Sequence, residues 1–302
     1  MFSHKKKTKA TLLAKWVSCA VMLACTGCIH CITPSKCVRI EPRDSEVYPG
    51  ELSGEAETRH RVAIIVLPSD HRDSKDVVRL LDSALTRMVS NLEFFEVVAT
   101  GNLDSIMRGG RLQQSWIDAN IPPDTKYLIT ARLNTFFIER IIHSSKSGTS
   151  YSYKGQIGVD FRFYETANQR LVLSKDFPPK NFSSYKDEMN FAVTSAGEKA
   201  QEMAQQFVTS VCARYAPPAI VLETRGGGKI AQISMGENYG IFQDTKVDFI
   251  EYVDGRRGVA PSVIATGKTL KKERKIDTAW IYVNDYQKAG VKEGHYVRIN
   301  AE

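Results

Sequence analysis

"RVAIIVLP", Arg61 to Pro68, is a continuous apolar, β-branched run closed by a proline. It has no polar phase, so a strand built from it must be buried on both faces. After "SDHRD", the apolar residues Val77, Val78, Leu81, Ala84, Leu85, Met88 and Val89 recur at three- and four-residue spacing. That spacing predicts a helix over Ser74 to Asn91 with one apolar face. Asp73 or Ser74 is placed to accept the free amides of its first turn. "FFEVVA" (Phe94 to Ala99) reads as a second short strand. "GNLDSIMRGG" reads as a short helix closed by Gly109 and Gly110.

The pattern then changes. Tyr127 to Ile138 predicts a long strand, and Gln156 to Tyr164 alternates: Ile157, Val159, Phe161 and Phe163 point one way, Gln156, Asp160 and Arg162 the other. A third strand, Arg170 to Lys175, follows across the hairpin-length turn "ETANQ". One apolar and one polar face imply antiparallel strands covered by helices on one side only. A long helix over Tyr185 to Tyr215 carries the stripe Met189, Ala192, Ala196, Ala200, Met203, Phe207, Val211 and Tyr215. Ser184 with Asp187 would form a capping box, Pro217 and Pro218 stop the helix, and Cys212 reads as a small buried hydrophobe. Residues 59–216 are therefore expected to be an α+β domain, a mixed sheet with helices packed on one face. Arg132, Asp160 and Arg162 on the polar face form its candidate binding surface.

Residues 217–302 hold six short apolar runs: Ala219 to Glu223, Ile230 to Ser234, Lys246 to Tyr252, Ser262 to Thr269, Ala279 to Val283 and Tyr296 to Ile299. Gly-rich or charged turns separate them, which predicts a small all-β barrel. Gly226-Gly227-Gly228 lacks the strand–GxxxxGK[ST]–helix setting of a phosphate loop and reads as a hairpin turn. The basic run "KTLKKERK" (Lys268 to Lys275) reads as an edge strand kept charged against aggregation.

The N-terminus carries a different signal. Lys5, Lys6, Lys7 and Lys9 precede a short apolar stretch, Trp16 to Ala24, that runs into Cys25, Cys28, Cys31 and Cys37. A basic head, a short apolar core and small residues form the layout of a bacterial export signal. The core is far short of the roughly 20 residues of a spanning helix. The C-x2-C-x2-C spacing departs from a ferredoxin cluster because the fourth cysteine comes five residues later and no proline follows it. The stretch resembles a lipobox, at which lipoprotein signal peptidase cuts before a cysteine that carries diacylglycerol. Thr26-Gly27 places the small residues before Cys28; Leu23-Ala24-Cys25 is the competing frame. Lipidation would add diacylglycerol and a palmitate-type acyl chain, with about 0.8 kcal/mol per buried CH2 holding the chain on a bilayer. Residues 1–27 are thus expected to be the signal and 28–58, rich in Pro, Gly, Ser and charge, a linker. Cys31 and Cys37 could pair in an oxidising compartment.

The order "VAIIVLP", helix, "LEFFEVVATGNLDSIM", "TKYLITARL", alternating strand pair and helix resembles a periplasmic core family. Its members are the curli secretion channel CsgG, the penicillin-binding-protein activator lipoproteins of the LpoB type, and the TolB N-terminal domain. "FFEVVATGNLDSIM" is similar to the family's F-x-V-V-x-R-x-x-L-x-x-I and "YLITARL" to its Y-L-I-x-G-x-I. Gly101 stands near the usual basic residue and Ala131 replaces the usual glycine. "MGENYGIFQDTKVDFIEY" is similar to C-terminal modules of the flagellar protein FlgT. The resemblance implies an envelope-facing, periplasmic lipoprotein of the outer membrane of a Gram-negative bacterium. Its implied partner is a peptidoglycan synthase or a secretion assembly. A CsgG-type pore would insert two hairpins of spanning strands, each about 9–11 alternating residues. The two candidate places, His143 to Lys154 and Phe177 to Tyr185, are polar and short in one case and carry Pro178-Pro179 in the other.

The formal charge of +7 suggests nucleic acid until it is located. Lys5, Lys6, Lys7, Lys9 and Lys15 lie in the signal without an acid, so its removal lowers +7 to +2 and no nucleic-acid partner is expected. No G-x-S-x-G or H-E-x-x-H occurs, and the six histidines (4, 30, 60, 71, 143 and 295) are scattered. The expectation is a non-enzyme without metal or cofactor, a lipid-anchored binding or assembly factor for an envelope component. The alternative is a subunit of a ring-forming outer-membrane secretion complex.

Overall fold

The apolar run at 61–68 forms the middle of strand β1 (His60–Val66), with parallel neighbours on both sides. In this computed structural model the chain is described over residues 59–300, apart from 68, 72–73, 101–106, 109–110, 113, 147, 186–187 and 256–257. The predicted signal, both lipidation frames, the Cys31–Cys37 pair, the linker, Asp73 and Asp187 lie outside the described residues. Of the described residues, 59–251 with 262–300 form one compact unit, and Tyr252–Pro261 fall outside it.

Helix α1 (Lys75–Ser90) follows β1 and leads to β2 (Phe95–Val98). The α1 face buries Val77, Leu81, Ala84, Leu85, Met88 and Val89, as the spacing predicts. Ser74 sits at its N-cap, but its hydroxyl donates to the His71 carbonyl at 2.6 Å rather than accepting from the helix. Where a helix was expected before Gly109, Met107–Arg108 is strand β3, paired with β4 (Arg111–Leu112). Helix α2 (Gln114–Asn120) comes next.

Strands β5 (Tyr127–Ser145), β6 (Gly148–Glu165) and β7 (Arg170–Ser184) complete a five-stranded mixed sheet in the order β2-β1-β5-β6-β7. These strands outrun the sequence expectation. β5 continues seven residues past Ile138 because its antiparallel register with β6 persists from Glu139↔Lys154 to Ser145↔Gly148. The pair Glu139–Lys154 at 3.1 Å and the Arg140 guanidinium 5.0 Å over the Tyr151 ring support this polar tip. β7 runs through Pro178-Pro179 because it is the sheet edge, where a proline whose nitrogen faces outward removes no ladder bond. The two prolines sit in a register shift opposite Gly158. Since β7 extends to Ser184, the capping box expected there does not form: helix α3 (Met189–Tyr215) starts after Glu188.

α1 and α3 cover one face of the sheet. Phe207 of α3 stacks on Phe161 at 4.9 Å, and Tyr215 contacts Tyr127 at 5.3 Å and Phe163 at 5.6 Å. The expectation of cover on one face only needs correction. Ala63 and Ile65 of β1 and Leu67 just after it form a second cluster with Ile117 and Ile121 of the α2 region and Leu128. A strand apolar on both sides requires that second cover. α3 ends at Ala216, extended before Pro217 as a pre-proline residue must be.

Six strands follow: β8 (Ala219–Arg225), β9 (Ile230–Ile233), β10 (Lys246–Gly255), β11 (Gly258–Arg274), β12 (Ala279–Val283) and β13 (Tyr296–Asn300). They form a sheet closed in the order β10-β11-β12-β9-β8-β13, with β13 antiparallel to β10. Gly226, Gly227 and Gly228 have φ of 61°, 68° and 90°, making the β8–β9 hairpin turn. The basic run is not an edge: β11 pairs with β12, and a closed sheet has no edge to protect. Lys268 instead pairs with Asp244 at 3.1 Å and Arg274 with Glu237 at 3.8 Å. One apolar cluster runs from Val62 and Phe161 through Phe207 and Val211 to Ile241, Val247 and Ile299, so sheet, α3 and closed sheet share a core.

Candidate functional site

The three charged residues singled out on the polar sheet face do come together. Arg132 on β5 is the direct cross-strand partner of Asp160 on β6, and Thr130 is that of Arg162. Much of this charge is spent within the sheet. Arg162 is ion-paired with Asp176 of β7, and Asp160 accepts a hydrogen bond from Asn134 Nδ2 at 2.5 Å. Arg132 is exposed and has no ion pair among the described residues. Pairs this exposed are worth about 0–1 kcal/mol each, so the face is a solvated surface more than a stabilising network.

A second place was missed by the sequence reading. β7 alternates so that Leu173, Lys175 and Phe177 stand opposite the buried Phe163, Phe161 and Val159. A lysine therefore occupies an apolar-phase position under α3. Its ammonium donates to Ser210 Oγ at 2.9 Å and lies 5.7 Å from the Phe177 ring centroid. Ser210 Oγ in turn donates to the Gln206 carbonyl at 2.9 Å, which fixes the hydroxyl's free lone pair toward the lysine. Burial holds the Lys175 pKa below the usual lysine value. Lys175 and Ser210 line a cleft of about 600 Å³ together with Arg214 of α3 and Asp248, Arg298 and Asn300 of the closed sheet. Asp248 on β10 is buried and accepts from Arg298 Nε at 3.2 Å and Asn300 Nδ2 at 2.8 Å. Its charge is thus compensated by Arg298, its register partner on β13. Neither Lys175 nor Arg214 has a carboxylate partner among the described residues.

A different seam joins the same parts elsewhere. Glu93, after α1, accepts from Asn238 Nδ2 at 2.5 Å and from the Tyr239 hydroxyl. Burial, that hydrogen bond and the Glu93 charge push the Tyr239 pKa up to about 12. Gly240 (φ 85°) lies against Cys212 of α3, and burial pushes the Cys212 thiol pKa up. Among the described residues no group of three or more His, Cys, Asp or Glu could hold a metal ion. Among the described residues, too, no helix is long and apolar enough to cross a membrane.

Neither a known protein family nor a curated protein matches the sequence. Solved structures align with part of the chain at low similarity. The hypothetical protein CT253 from Chlamydia trachomatis aligns with 10% identity and a TM-score of 0.37, covering 53% of this chain and 99% of that one. The lipoprotein GNA1162 from Neisseria meningitidis aligns with 8% identity and a TM-score of 0.29, covering 49% of this chain and 98% of that one. The PelC dodecamer from Paraburkholderia phytofirmans aligns with 10% identity and a TM-score of 0.27, covering 48% and 85%.

Proposed function

We propose that this protein is a lipid-anchored, non-catalytic binding module of the bacterial envelope, facing the periplasm. The observation that carries the reading is the N-terminal sequence: a lysine-rich head, a short apolar core, and Thr26-Gly27 before Cys28. The surface offered to a partner is the uncovered face of β5, β6 and β7 with Arg132, Asp160 and Arg162. The partner chemistry implied by the family resemblance is a peptidoglycan synthase or a secretion assembly. Metabolic labelling with radioactive palmitate tests the anchor. Incorporation should disappear in Cys28→Ala, or in Cys25→Ala if the other frame is cut; label retained in both variants overturns the anchor.

The alternative, a ring-forming secretion subunit, would have to use the β5–β6 hairpin, which runs past its sequence expectation but falls short of a span. Its tip beyond Ile138 gives seven residues on β5 and ends in serines, against the roughly 9–11 residues a spanning strand needs. The mass of the detergent-extracted protein separates the two readings. A ring-sized oligomer supports the secretion subunit, and a monomer supports the tethered module.

A further inference from the structure

We propose that the cleft between β7, α3 and the closed sheet is a binding site for a phosphate monoester, with Lys175 and Arg214 as its anion-holding residues. Asp248 is neutralised by Arg298 and held by Asn300, so it draws on neither Lys175 nor Arg214. Two positive charges therefore remain uncompensated on one wall, matching the two negative charges of a phosphate monoester near neutral pH.

An ammonium has three N–H groups and no acceptor. Lys175 uses one on Ser210, which leaves two without a protein partner among the described residues. Arg214 adds a planar fork suited to two oxygens of one phosphate. Ser210 cannot rotate toward another role because it is bonded both to Lys175 and to the Gln206 carbonyl. The lysine is thus held in place before any ligand arrives.

Burial already disfavours the charged ammonium; a bound dianion restores the interaction that water has lost, and does so more strongly than at an exposed lysine. The cleft volume of about 600 Å³ falls within the range of small-molecule sites. It exceeds a bare phosphate and leaves room for the group to which the phosphate is esterified. A free sugar- or glycerol-phosphate and a lipid headgroup present the same chemistry.

Calorimetric titration of the full, detergent-solubilised chain decides the matter. The probes are glycerol 3-phosphate, dihexanoyl phosphatidic acid as a soluble lipid with the same headgroup, and glycerol as the neutral control. Saturable binding of either phosphate is expected, weakening by about tenfold or more in Lys175→Met and Arg214→Gln. It should be unchanged in Arg132→Gln on the opposite sheet face. Tighter binding of glycerol 3-phosphate identifies a soluble ligand; tighter binding of the phosphatidic acid identifies a lipid headgroup. Arg214 is exposed, so its variant keeps the test valid should Lys175→Met fail to fold. Absence of saturable binding overturns the proposal. So does binding that glycerol matches, or that survives Lys175→Met and Arg214→Gln undiminished.

Discussion

Helix α3 meets the closed sheet in two places, and they are built differently. At Cys212 the contact is dry and close: Gly240 admits the thiol because it has no side chain, and Val211 and Tyr215 continue the core beside it. At Ser210 and Arg214 the same helix stands away from β10 and β13, and the space between is lined with charge. Small apolar residues close the first seam, whereas the second is left open around a lysine whose burial costs free energy. That lysine is held by the Ser210 hydroxyl and the Phe177 ring, and two of its N–H groups have no protein partner among the described residues. The difference separates residues that hold the molecule together from residues available for a ligand.

Substitutions can break that contrast. Phe207→Ala removes a fully buried ring stacked on Phe161 and should cost about 3–5 kcal/mol, read as a lowered urea midpoint. Because one core runs through sheet, helix and closed sheet, the loss should appear as a single transition by fluorescence and circular dichroism alike. Two separated transitions would show that the shared core is not cooperative. Gly240→Ala comes next. Its Cβ meets Cys212 and its φ is left-handed, so about 1–3 kcal/mol of overpacking adds to about 1 kcal/mol of backbone strain. The double variant with Cys212→Ala should recover the packing part and leave the strain, and strictly additive losses would show that the two residues do not touch.

Tyr239 sharpens the contrast through pH. Its folded pKa of about 12 lies above the ordinary 10. The contribution to stability is complete below pH 10 and is lost as pH rises through about 12, because the unfolded chain releases the proton first. Denaturation midpoints between pH 9 and 12 should fall, and the fall should flatten in Tyr239→Phe. An equal fall in that variant would assign it to other groups. The smallest stability effect is expected at the open seam. Lys175→Met exchanges a desolvated amine for an apolar chain of similar length and should change stability by no more than about 1 kcal/mol in either direction. A loss as large as that of Gly240→Ala would make Lys175 a structural residue and erase the distinction.

Much of this architecture is legible where side-chain period and burial agree. Residues 61–66, the α1 face, the alternation of β6 and the α3 stripe each announce their surroundings through spacing, and six runs after Pro218 correspond to the six strands of the closed sheet. What was illegible depends on pairing rather than on side chains. "ERIIHSS" has no strand period, yet backbone register carries β5 to Ser145 once β6 lies beside it. The second cover on β1 was implied by its two apolar faces, but the covering residues, Ile117 and Ile121, sit in a helix of only seven residues and its flank. Arg132 and Asp160 are direct cross-strand partners, a pairing that alternation along β6 alone does not report. The cleft was half visible: Lys175 breaks the apolar phase between Leu173 and Phe177. Its companions Arg214, Asp248 and Arg298 come from elements whose meeting no local pattern reports.

The proline pair on β7 has a consequence for how copies of this protein behave when crowded. A bare sheet edge recruits neighbours by offering amide hydrogens at regular intervals. Pro178 and Pro179 interrupt that series in the middle of the β7 border, and the register shift beside Gly158 breaks the ladder there. A second molecule approaching that border finds its template interrupted after a few residues on either side. Copies that meet along β7 find no continuous template there, so an assembly through that border has to be made by side chains instead.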